Sequence, residues 1–154
     1  MKKFILLALI VSAPTMAATT GTLLLKGVVP QILDITVTPT ALATTLPLQT
    51  TQNQAQVATV ATKWNAINGA RVTVSSANGG QLRHATITTS VVPYTLHAPA
   101  AGTFSLATPQ QFDAPIAGPQ NASQPLNINY TGVPLENLVE GNYSDTITFT
   151  ISAL

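Results

Sequence analysis

The chain has 154 residues, of which 45% are hydrophobic, 7% charged and 5% aromatic, with 11 Pro and no Cys. That length accommodates one domain rather than two, and the charged fraction lies far below the roughly 25% of an average soluble chain. Six Lys and Arg against five Asp and Glu create no field that would gather phosphates, which argues against nucleic-acid binding. Without Cys there is no thiol nucleophile, zinc ribbon or disulfide scaffold, and only His84 and His97 remain as nitrogen ligands. Neither a metal nor a cofactor is expected. Asp34, Asp113, Glu136, Glu140 and Asp145 are scattered, and no Ser stands in a Gly-x-Ser-x-Gly setting, so the residues offer no case for an enzyme.

The N-terminus carries Lys2 and Lys3, an apolar run from Phe4 to Val11, and small residues around Ala13, Ala17 and Ala18. This is the pattern of a secretory signal, too short to span a bilayer, with cleavage after Ala17 or one residue later. Its removal leaves Lys26, Lys63, Arg71 and Arg83 against the five acidic residues.

From Ala18 onward no helical periodicity emerges, while Thr and Val abound and Gly or Pro recurs every few residues, so the chain reads as all-β. Gly21 to Val29 places Leu23, Leu25, Gly27 and Val29 on one face of an extended segment. The next strands are expected over Ile32 to Thr38, closed by Pro39, over Val57 to Trp64, and over Arg71 to Ser76. Leu42 to Asn53 reads as irregular, and Ala77-Asn78-Gly79-Gly80 as a tight turn. Ala85 to His97 is extended, with Pro93 confining that part to an edge or a bulge. Residues 107–124, rich in Pro, Gln and Asn, read as an irregular surface connection. Leu126 to Thr131 alternates, Gly132 to Gly141 turns, and Tyr143 to Leu154 forms the last strand. Trp64 belongs to the core on this reading, and His84 and His97 to the surface.

In that last strand Ile147, Phe149, Ile151 and Ala153 share one face and hydroxyls the other. It stops at Leu154, leaving no residues for a next strand, so a sandwich of this design is expected to have an open edge. An immunoglobulin-type sheet normally pairs its penultimate strand with one more.

The run Gly21 to Val29, with its Gly-Thr start, alternating apolar residues and central Gly27, resembles the N-terminal extension of major subunits of chaperone–usher pili. The segment Gly141-Asn142-Tyr143-Ser144-Asp145-Thr146 is similar to the Gly-x-Tyr-x-Asp-Thr signature of the spore-coat-U-like domains of archaic pili of that kind. The resemblance implies an immunoglobulin-like β-sandwich lacking its last strand, completed by a donor strand from another subunit. It divides the chain into a signal peptide (residues 1–17), a donor extension (residues 18–29) and a pilin body (residues 30–154). Leu23, Leu25, Gly27 and Val29 would form the donor face. Tyr143, Ile147, Phe149, Ile151 and Leu154 would form the acceptor groove and the strand that a periplasmic chaperone holds by its terminal carboxylate. At an outer-membrane usher the extension of the next subunit would replace the chaperone, building a head-to-tail surface fimbrium that supports adhesion or biofilm formation. The chain departs from many such pilins in lacking a Cys pair, with Ile32 and Leu33 near the expected first position. The alternative is a self-contained secreted adhesin or sugar-binding module. The two differ at the first run, which packs on another chain in one case and within its own sheet in the other.

Overall fold

The computed structural model describes residues 19–154; the signal expected over residues 1–17, and Ala18 of the extension, lie outside the described residues. The elements in chain order are β1 (Leu33–Pro39), β2 (Gln52–Trp64), β3 (Ala70–Ser76), β4 (Gln81–His84), β5 (Val91–Pro93), β6 (Thr95–Ala98), β7 (Gly102–Phe104), β8 (Gln110–Ala114), β9 (Gln120–Tyr130), β10 (Tyr143–Ser144) and β11 (Ile147–Ala153). Two 3-10 turns, Ala41–Thr44 and Leu135–Asn137, are the helical content among the described residues. All-β architecture follows from a sequence in which apolar residues recur at period two and not at 3.6.

All strand pairings are antiparallel. One sheet has five strands in the order β1-β2-β9-β6-β7, and two smaller ones run β11-β3-β8 and β10-β4-β5. The small sheets are one layer bent at a corner, where Asp145 and Thr146 separate β10 from β11 and residues 77–80 separate β3 from β4. Gly79 and Gly80 have φ of 65° and 76°, a conformation that glycine adopts without steric cost.

The inward residues of the two layers make a shared core. Val57 and Val60 on β2, Leu96 on β6 and Leu126 and Ile128 on β9 meet Val74, Leu82, Val92 and Tyr94 from the bent layer. A smaller cluster of Trp64, Ala66 and Ala70 sits at one end, with Leu33, Ala114 and Ile151 packed on it. Trp64 is core as expected, and its Nε1 donates to the Ile116 carbonyl at 3.1 Å.

Several expected boundaries shift. Residues 107–124, read as a loop from their Pro and amide content, contain β8 and the first half of β9. Their polar side chains carry no periodic signal, and the backbone ladders to Ala70–Val74 and Val60–Trp64 make them strands. Pro125 fits within β9 because β6 covers only Asn127–Asn129, so one side of the strand is unpaired at the proline. Pro93 lies on β5, an edge strand, as its missing N–H requires. The final strand is not continuous from Tyr143 but breaks at Asp145. His84 is buried, contrary to its surface assignment.

Candidate functional site: an unpaired apolar segment and an open groove

Residues 19–32 take part in no strand. Leu23, Leu25 and Val29 are 83%, 82% and 83% exposed, a display of aliphatic surface that water disfavours by about 1.5–3 kcal/mol per side chain relative to burial. A Cβ added at Gly27 would meet nothing within 4 Å. The segment is tethered at its root by Asn65. The Asn65 Oδ1 accepts from the Ile32 N–H at 2.6 Å, its Nδ2 donates to the Pro30 carbonyl at 2.9 Å, and its own N–H donates to the Ile32 carbonyl. These bonds extend the β1–β2 register by one step and aim the segment outward from the end of β1.

The groove lies along the opposite edge of β1. Among the described residues β1 pairs only with β2, and β11 only with β3. The unpaired edges of β1 and β11 approach until some Cα atoms are within 8 Å, yet no ladder joins them. Between them is a cleft of about 260 Å³ lined by Val37, Leu46, Leu82, Leu96, Ile147 and Phe149. Ile35, Ile147 and Phe149 are only half-buried, although each points toward the core, and Val37 is 39% exposed. Phe149 also lines a deeper space of about 360 Å³ between the layers, with Val60, Trp64, Val72 and Phe112. On that far flank Phe104 and Phe112 meet edge to face, centroids 4.9 Å apart, and close the layers with an aromatic pair.

The corner before β11 holds the polar heart of the molecule. The Asp145 carboxylate accepts from Tyr94 OH at 2.6 Å, from the Asn78 N–H at 3.0 Å and from the Thr146 N–H at 2.7 Å, and also from Ser76 Oγ. Asn78 Nδ2 donates to the Ser144 carbonyl. Burial, reinforced by the hydrogen bond to Asp145, pushes the Tyr94 phenol far above its ordinary range. Gly141 has φ of 139°, and a Cβ there would collide with His84 Nε2. His84 Nδ1 accepts from the Thr86 and Ile87 N–H groups, and Nε2 faces the Glu140 carbonyl at 2.9 Å. Tyr143 stands edge-on to that imidazole, and its hydroxyl bonds Ser90 Oγ and the Val139 backbone.

Of the residues singled out for the acceptor side, Ile147 and Phe149 line the cleft together. Ile151 packs instead on the Trp64 cluster. Tyr143 lies round the corner with His84, and Leu154 is at the Asn65 end, where its N–H donates to the Gly69 carbonyl. Val37 and Leu46 are groove residues that the sequence reading did not name; the period-two alternation of β1 was the available signal for Val37. Among the described residues no three His, Asp or Glu side chains come together to hold a metal ion. No protein-family model matches the chain, and no curated protein matches it.

Proposed function

We propose that the chain is the structural subunit of a surface pilus, polymerising by donating residues 23–29 to the groove of another copy. The observation that carries this reading is the coexistence of an unpaired aliphatic segment and an unpaired, half-buried groove edge on the same chain. Each is the complement of the other. The two layers are taken as an immunoglobulin-like sandwich whose last strand is supplied from outside, between β1 and β11. Strand addition gives backbone ladder bonds along the free edge of β11 and alternate side chains for the cleft, with β1 moving aside where its Cα atoms lie within 8 Å of β11. Burying Leu23, Leu25 and Val29 contributes about 5–9 kcal/mol before the cost of ordering the segment. Gly27 leaves the middle of the donated face without a side chain. Because the contact is head-to-tail and does not close on itself, it generates a filament.

On the same reading the subunit passes through the periplasm with a chaperone strand in its groove, and an outer-membrane usher exchanges that strand for the next subunit's extension. Phe149 and Ile147 serve both partners in turn. The filament then acts in adhesion or biofilm formation.

Size-exclusion chromatography and electron microscopy of the chain from Ala18, beside a form lacking residues 18–29, test this. Ladders of multimers or filaments from the first and none from the second are expected. A stable monomer from both would overturn the reading and favour a self-contained secreted binding module.

A further inference from the structure

Large aliphatic side chains gather at the end of the molecule from which the free segment leaves. Ile67, in the turn between β2 and β3, is 88% exposed, and Ile116, after β8, is 55% exposed. Ile32 and Leu154 are 41% and 36% exposed. Backbone and side-chain bonds hold these four together. Asn65 binds Ile32, the Trp64 indole binds the Ile116 carbonyl, the Gly118 N–H donates to the Ala66 carbonyl, and the Leu154 N–H donates to the Gly69 carbonyl. A clustered apolar surface of this kind marks a contact site.

The occupant follows from the length of the tether, given the donor-strand reading on which this inference rests. Val29 is the last donor residue, and the next carbonyl, that of Pro30, is already bound by Asn65 at 2.9 Å. No free residue separates an inserted strand from its own body, and one Cα step spans only about 3.8 Å. Pro30 fixes its own φ and confines Val29 to extended backbone, so the joint cannot fold back or lengthen. The two bodies must abut at the Asn65 end.

The facing surface on the neighbour is fixed by direction. β11 runs toward Leu154 and therefore toward the Asn65 end, where the neighbour's own extension departs. A strand whose root entered the groove there would compete with that extension for space. Entry from the other end runs the strand antiparallel to β11, which also gives the better-aligned ladder. At that other end, beside the start of β2, Leu135 and Val139 are 65% and 41% exposed. Their segment is held to residues 48–51 by the Val133 N–H on the Leu48 carbonyl and the Gly132 N–H on Thr51 Oγ1.

We infer that the Ile67 end of one copy packs against the Leu135–Val139 end of the next, a body-to-body contact that stiffens the filament in addition to the donated strand. The chain has no Cys, so the double variant Ile67→Cys with Leu135→Cys introduces the only thiols. Mild oxidation of its filaments should leave covalent ladders after boiling in detergent without reductant, and each single variant should give no ladder beyond dimers. Separately, Ile67→Asp, at a position with almost no contacts of its own, should still yield multimers joined by the donated strand but with a persistence length severalfold shorter by electron microscopy. Filaments of unchanged stiffness from Ile67→Asp together with no ladder from the double variant would overturn the contact while leaving strand donation intact. Absence of multimers from the parent chain would overturn both.

Discussion

Two segments of this chain carry apolar residues at period two, cleanly in Ile147–Ala153 and with Leu24 and Val28 interposed in Gly21–Val29, and they have opposite fates. Ile147–Ala153 pairs with β3 along its whole length, whereas Gly21–Val29 pairs with nothing among the described residues and leaves its leucines more than four-fifths exposed at Leu23 and Leu25. Alternation therefore specifies a strand only in the sense of a surface ready for one; the partner has to be supplied by topology. β11 receives one partner, on one edge. The N-terminal segment, tethered at its root by Asn65, receives none among the described residues, and the other edge of β11 is likewise without a ladder partner there.

Gly27→Leu breaks this contrast most sharply. A side chain at position 27 meets nothing within its own chain, so thermal unfolding of the body should be unchanged while multimers disappear from size-exclusion profiles. Multimers at parental levels would remove Gly27 from the donor face. At the root of the paired segment, Asp145→Ala strips acceptors from Tyr94, Ser76 and two backbone N–H groups and should cost about 2–4 kcal/mol in urea unfolding. Asp145→Asn, which keeps part of the network, should cost less.

A pH titration sharpens the comparison further. The folded Tyr94 phenol is raised above the ordinary Tyr value of 10.0, so above that value the unfolded chain sheds a proton that the native chain retains. Stability from this group is complete below the ordinary Tyr value and falls as pH rises above it. Tyr130, raised by burial, adds to the same slope. Urea midpoints measured from about pH 8 to pH 11 should decline at the alkaline end, and Tyr94→Phe should flatten that decline. The smallest effect belongs to the cross-strand pair of Arg71 and Asp113, Nε to Oδ1 at 2.6 Å. The hydrogen bond from Arg71 lowers the Asp113 carboxyl, but the pair is solvated, and Arg71→Ala should shift the midpoint slightly at low salt and not at high salt.

The parts of the fold legible in the sequence were those where side chains carry the signal. The two faces of the strand Ile147–Ala153 follow from period two and Pro93 announces an edge, whereas Val57 and Val60, three residues apart, are both buried because the register shifts between Gln56 and Ala58. β8 and Gln120–Pro125 were not legible, because their strand character lies in backbone bonds to β3 and β2, and a polar Gln124 takes an inward position where the pattern would call for an apolar residue. On the site, Ile147 and Phe149 line one cleft, as residues two apart on one strand face do. Tyr143 shares their chain but not their surface, since the Asp145 corner turns β10 away from β11. The burial of His84 could not be read from its neighbours in sequence: its ring is enclosed by Glu140, Gly141 and Tyr143, more than fifty positions on.

That enclosure makes two distant letters of the sequence a single choice. An imidazole at position 84 and any side chain at position 141 cannot share the same volume, so the glycine that opens Gly141-Asn142-Tyr143 is demanded by the histidine as much as by its own φ. In related chains that keep this corner, a smaller residue at position 84 should be the condition for anything but glycine at position 141, and the two positions should change as a pair.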